Sequence, residues 1–313
     1  MNILPALVSF FLAVPDSGAD TARAWEEDSL RVALDSTLAG LEWRTGRVVL
    51  AGGKVEFSLP KGYRYLDSAQ ARKVLVDLWG NPSFAADNQS GMVFAPGQEP
   101  VGADSWSVVV SYDDQGHVDD KDAASINYDE LLTALQRAVQ ETNAERVAGG
   151  ADPQMLVGWA ERPTYDAATK TLFWAKEFRQ GPGENRLNYG VRILGREGIL
   201  CLSAVGRMGN LKEMKAGMRE LFSYARFTPG NTYADFQSGD KVSRLDLSLL
   251  VAGGAHVAAK SGFLKVFLAG VLAGRSWVWI VALVVLAGLF VLYRKLSGKA
   301  AERRIGADAT GSP

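Results

Sequence analysis

The stretch RLNYGVRILGREGILCLSAVG (residues 186–206) decides the fold. RLNYGVRIL (186–194) and GILCLSAVG (198–206) are β-rich runs, and the GREG between them reads as a tight turn. So short a link joins strands only as antiparallel neighbours, because a parallel pair needs a long crossover. The same reading extends outward. GRVVLAGGKVEFSLP (46–60) is two short runs around Gly52 and Gly53, a hairpin signal, and SWSVVVSY (105–112), QMLVGWA (154–160) and KTLFWAKEF (170–178) are further strands.

Three helices share a start signal, an Asp or Asn followed three residues later by Gln or Glu. Asp67 with Gln70, Asn127 with Glu130 and Asn210 with Glu213 each precede helical apolar spacing. The first helix carries Val74 and Leu78 on its buried side and stops at DLWGNPS (77–83), where Trp79 extends the apolar side, Gly80 suits the left-handed terminal position and Pro82 prevents continuation. Hairpins with only three helices predict an α+β domain over residues 20–245, a mainly antiparallel sheet with about three packed helices.

The ends carry addresses. ILPALVSFFLAV (3–14), followed by the small residues of SGA (17–19), predicts a signal peptide over residues 1–19, although no Lys or Arg precedes Arg23. SWVWIVALVVLAGLFVLY (276–293) has no charge and reaches roughly 27 Å as a helix, enough to cross a bilayer. Trp277, Trp279 and Tyr293 suit the two interfaces, and Arg294, Lys295, Lys299, Arg303 and Arg304 mark residues 294–313 as a cytoplasmic tail. The expected topology is a single pass through the cytoplasmic membrane with the domain outside. Residues 246–275 are apolar but hold His256, Lys260 and Lys265; they read as an amphipathic membrane-proximal segment, with a second span as the alternative.

With a net charge of −1, nothing in the total favours nucleic acid. The single cysteine, Cys201, excludes an intramolecular disulfide and reads as a small buried hydrophobe.

Five segments carry a resemblance: LPKGYRYLDSAQARKVLVDLWGNP, VVVSYDDQGHVDDKDAASINYDELL, LVGWAERPTYDAATKTLFWAKEF, LNYGVRILGREGILCLSAV and DFQSGDKVSRLDLSLLVAGGAHVAAKSG. They resemble bacterial membrane-anchored proteins of the domain of unknown function 2167 family, over most of residues 45–295. The resemblance implies a membrane-anchored envelope protein and supplies no catalytic residues. Where related sequences commonly have Tyr-Gly-Leu-Ala after the DK motif, this chain has SRLDLSLL, which places Asp246 near the membrane.

The acidic run YDDQGHVDDKDAASINYDE (112–130) is the leading site candidate. Asp113, Asp114, Asp119, Asp120 and Asp122 are oxygen donors of the kind Ca²⁺ takes, though their spacing is not that of an EF-hand. A solvated turn before an acidic helix entry explains the same residues. With only His117 and His256, a His-rich zinc site is excluded, and no Gly-x-Ser-x-Gly elbow frames a serine. GREG and GPGE lack the pattern of a phosphate or dinucleotide loop, so no organic cofactor is expected. Trp159, Tyr165, Trp174 and Tyr189 could line a ligand groove or fill strand core. The expected function is a non-enzymatic binding module in contact with membrane lipid through residues 276–293 and with an envelope protein partner. The alternatives are an envelope hydrolase working through carboxylates and an accessory subunit of a membrane complex.

Overall fold

The computed structural model describes residue 32 and residues 34–253, apart from 80, 82, 103, 149–151 and 182. The expected signal peptide, the span 276–293, the tail 294–313 and the membrane-proximal residues beyond 253 lie outside the described residues, as do Gly80 and Pro82. Among the described residues no helix is long and apolar enough to cross a membrane.

The decisive hairpin forms as its sequence predicts. Strand β8 (Arg186–Leu194) pairs antiparallel with β9 (Ile199–Arg207), and the Gly195 amide closes the turn on the Gly198 carbonyl at 2.8 Å. Gly195 has a packing reason: a Cβ there would stand 2.3 Å from the Phe227 ring. Two sheets result, both antiparallel. β1 (Arg47–Leu50), β2 (Val55–Ser58) and β10 (Ala225–Phe227) form the smaller, in the order β1-β2-β10. The larger runs β3-β4-β5-β9-β8-β7-β6, with β3 (Arg64–Asp67), β4 (Gly91–Phe94), β5 (Ser107–Asp113), β6 (Gln154–Asp166) and β7 (Thr171–Gln180).

The α+β expectation holds, with details corrected. Helix α1 (Ser68–Arg72) starts on Asp67, whose carboxylate accepts the Gln70 amide, and widens into a π-type segment over Lys73–Leu78. Its end is closed by Asn81, whose backbone and side-chain amides both reach the Leu75 carbonyl. Helix α2 (Tyr128–Ala148) starts on Asn127, which accepts from the Asp129 and Glu130 amides. Helix α3 (Leu211–Ser223) departs from the prediction: Asn210 makes no cap bond into it, but faces back to the Arg207 amide and the Asp104 carbonyl. A fourth helix, α4 (Leu247–Ala252), opens the segment read as amphipathic and membrane-proximal, and its side chains Leu247, Leu249, Leu250, Val251 and Ala252 are buried. Asp246 caps it by accepting the Leu249 amide at 2.8 Å.

Cross-strand pairing assigns each face of the large sheet. Leu187, Tyr189, Val191 and Ile193 share one face with Leu200, Leu202, Ala204, Val108 and Val110. Met214, Met218 and Leu221 of α3 cover that face together with Val48, Leu50, Val55 and Phe57 of the small sheet, forming the main core. Each fully buried side chain there contributes roughly 1.5–3 kcal/mol. Across the sheet, α1 packs on Leu66, Met92 and Phe94.

Candidate functional site

The acidic run occupies the connection from β5 to α2, and the structure fastens it to a distant segment. His117 donates its amide to the Lys241 carbonyl and accepts the Ser243 amide, both at 2.8 Å. Its ring lies between Phe236 and Tyr233, with centroids 4.1 and 4.2 Å away. Nδ1 is 3.1 Å from the Arg196 carbonyl, an acceptor only, which places a proton on that nitrogen. Arg196 in turn grips Asp240 through Nε and Nη2 at 2.7 and 2.8 Å. His117 is thus a buried clasp residue, although the run that holds it also reads as a solvated turn.

Asp120 is the centre of this region. Its carboxylate accepts from Tyr165 at 2.6 Å, Lys170 at 2.7 Å and Tyr233 at 2.9 Å. Burial alone would raise this carboxyl, but the bonds from Lys170, Tyr165 and Tyr233 outweigh it and hold the pKa at about 2. Burial, followed by the Asp120 bond, pushes both tyrosines above their ordinary range.

The five aspartates do not converge as the Ca²⁺ expectation requires. Asp119 pairs with Lys121 at 2.9 Å, Asp120 faces Tyr165, Lys170 and Tyr233, Asp114 and Asp122 are exposed, and Asp113 is half-buried on β5. Among the described residues no group of three or more His, Cys, Asp or Glu side chains could hold a metal ion.

Register also separates the aromatic set. Trp174 pairs with Gly190 and Tyr189 with Ala175, so these two rings point to opposite faces. Trp159, opposite Lys176, and Tyr165, opposite Leu172, share the face of Trp174. A groove lined by all four does not form. Tyr189 is main core, where burial and then the Glu161 carboxylate raise its pKa. Trp159 donates its indole N–H to the Tyr128 carbonyl at 3.2 Å, and Tyr165 belongs to the Asp120 cluster.

The face of Trp174 holds a group that pattern reading missed. Lys176 is buried and donates to the Val251 carbonyl of α4 at 2.6 Å. Burial lowers its pKa to about 7, and Arg192 pushes the same way. Arg192 stacks over Trp174 at 5.1 Å from the ring centroid and bonds the Leu202 carbonyl at 3.2 Å and the Ser203 hydroxyl at 3.5 Å. Lys176 stands in a β-rich run with no local sign of its burial; only the pairing of β7 and the docking of α4 reveal it. Cys201 is buried on the same face, free, and raised in pKa by burial, which fits a packing role.

An open cleft of about 790 Å³ lies beside β1 and β3, lined in part by Arg44, Arg47, Tyr65 and Ser90. Its two arginines are occupied, Arg44 by Asp67 and Arg47 by Glu56.

Three of the solved structures to which the chain is similar are the following. Cyanobacterial PsbP (CyanoP) from Synechocystis sp. PCC 6803 is 12% identical with a TM-score of 0.32, covering 60% of this chain and 94% of that one. The Ran-binding protein Mog1p of Saccharomyces cerevisiae is 11% identical with a TM-score of 0.29, covering 60% and 96%. LpqN, involved in cell envelope biogenesis of Mycobacterium tuberculosis, is 13% identical with a TM-score of 0.31, covering 61% and 95%. Likenesses this weak imply no shared function. No curated protein matches the chain in sequence. The model of the family described as "Protein of unknown function (DUF2167)" matches residues 42–287, and the chain belongs to that family.

Proposed function

We propose that the chain is a non-enzymatic binding module of the bacterial envelope, exported by residues 1–19 and anchored by residues 276–293 with its folded domain on the outer face of the cytoplasmic membrane. One observation carries the reading: the way residues 228–253 are fastened to the body. Thr228 bonds the Lys54 carbonyl, Tyr233 holds Asp120, Asp240 is gripped by Arg196, Lys241 and Ser243 pair with His117, and α4 ends on Lys176. In sequence this segment leads directly to the apolar residues 254–293. A module mounted on a membrane stalk needs the segment that leads to the stalk tied to the folded part at many points.

The hydrolase reading is less favoured. A general acid needs a carboxyl whose pKa is raised toward neutrality. Hydrogen bonds from Arg47 and Arg226 hold Glu56 at about 2, one from Arg196 does the same for Asp240, and Asp120 is as low. These are fixed ion-pair partners.

Reporter fusions after residue 313 test the anchoring; activity of a reporter that works only outside the cytoplasmic membrane would overturn it. Purification of the detergent-solubilised chain with its bound proteins tests the binding role. A reproducible stoichiometric partner supports it, and turnover of an envelope substrate by the purified chain would replace it with the enzyme reading.

A further inference from the structure

On the face of the large sheet opposite the main core, two cationic side chains meet around one indole. The guanidinium carbon of Arg192 is 5.1 Å from the Trp174 ring centroid and the Lys176 ammonium is 5.9 Å from it. Among the described residues neither has a carboxylate within ion-pairing distance: Arg192 spends Nη1 on the Val191 and Leu202 carbonyls and the Ser203 hydroxyl, and Lys176 donates to the Val251 carbonyl. An ammonium carries three donors and a guanidinium five, so both keep hydrogen-bonding capacity. The third component is Trp174 itself. Among the described residues its Nε1–H is buried with no acceptor, in a residue only 2% exposed. Buried indole N–H groups ordinarily find a partner, and leaving one unpaired is costly.

The sequence seats the indole deliberately. Gly190 is the cross-strand neighbour of Trp174, and a Cβ there would stand 2.6 Å from the indole Cζ2. On its other side Gly190 pairs with Ser203, the residue whose hydroxyl Arg192 reaches. The ring therefore lies across the β7–β8 pair next to the strand that supports the guanidinium.

We propose that Arg192, Lys176 and the Trp174 N–H form a binding site for a phosphate group, either free or carried by a lipid headgroup. Charge and acceptor count select phosphate over carboxylate. A permanent guanidinium and an amine that can take a proton beside it, with no counter-charge among the described residues, and three separate donor groups match an anion of up to two charges with several oxygens, and the guanidinium fork fits two of those oxygens at once. The assignment rests on the sheet face alone and is independent of the anchoring proposed above.

The test uses the full chain in detergent, titrated with inorganic phosphate against chloride at equal ionic strength, and the same chain in nanodiscs of phosphatidylcholine with or without phosphatidylglycerol. The readout is the thermal unfolding midpoint. A saturable rise with inorganic phosphate assigns a free anion; a rise only with phosphatidylglycerol assigns a headgroup. In either case Arg192→Gln should weaken the response about 10-fold or more, and Trp174→Phe, which keeps a ring and removes only the donor, should weaken it several-fold. Trp174→Phe keeps the test decisive should Arg192→Gln fold poorly. No rise with either probe, or an equal rise in Trp174→Phe and wild type, overturns the site.

Discussion

The ammonium of Lys176 lies 2.6 Å from the carbonyl oxygen of Val251, which joins strand β7 to the last turn of α4. A cation beside the C-terminal carbonyls of a helix is favourable, but its burial is not. Lys176 sits at about 7 in the fold, against about 10.4 for an exposed lysine. Between those values the unfolded chain binds the extra proton, so this residue makes stability rise with pH from about 7 to about 10 and contributes least below 7. In Lys176→Met that part of the rise should vanish. Urea unfolding of both proteins at pH 6.5 and 9.5 measures it, and an unchanged pH dependence in the variant would refute the assignment.

Asp120 titrates with the same sign in an acid window. Its folded pKa of about 2 lies below the ordinary aspartate value, so its contribution is complete above about 4 and is lost as pH falls toward 2. Asp120→Asn replaces a charged acceptor of three bonds and should cost about 1–3 kcal/mol at pH 7. Unfolding curves for variant and wild type should converge between pH 4 and pH 2; a constant gap would show that the charge is not what matters.

His117 holds two segments together by its ring as well as its backbone. His117→Ala removes the stack on Phe236 and Tyr233 and should destabilise by roughly 1–3 kcal/mol. His117→Phe keeps a ring and should lose less. Limited proteolysis reads this locally: cleavage within residues 228–243 should accelerate in the alanine variant, and protection equal to wild type would dismiss the clasp.

Asp246→Ala removes the cap of α4 at a cost of about 0.5–2 kcal/mol. Because α4 is short, the loss should appear in its own amides. Hydrogen exchange of residues 247–252 should rise while the β8–β9 amides stay protected; uniform acceleration across the domain would contradict a local cap.

What the sequence made legible was local. The β8–β9 hairpin, the caps at Asp67 and Asn127 and the number of major helices depend on neighbours within a few residues. Strands β3 and β4 are as short as β1 and β2 but lack the Gly52-Gly53 turn that marks that pair, β10 is shorter still, and Asn210 shows that a start signal can serve the preceding chain. The site was less legible. Asp120 finds its partners 45, 50 and 113 residues away, and nothing near it in sequence announces them. The aromatic set failed for a geometric reason: whether Trp174 and Tyr189 share a face depends on strand register, and β6 shifts register three times along β7.

Those shifts bear on how the domain meets other proteins. β6 is one border of the large sheet, and its irregularities are backed by α2, where Gln136 bonds the Leu156 and Val157 carbonyls and Asn143 clamps Gln154 by both carbonyl and amide. At the opposite border Arg44 exchanges both backbone bonds with Tyr65 of β3. Both margins are thus partly occupied by the chain's own groups, which guards against edge-to-edge aggregation and leaves poor templates for an incoming strand. Strand addition to the large sheet is disfavoured, and a partner there must read side chains on the helices and loops.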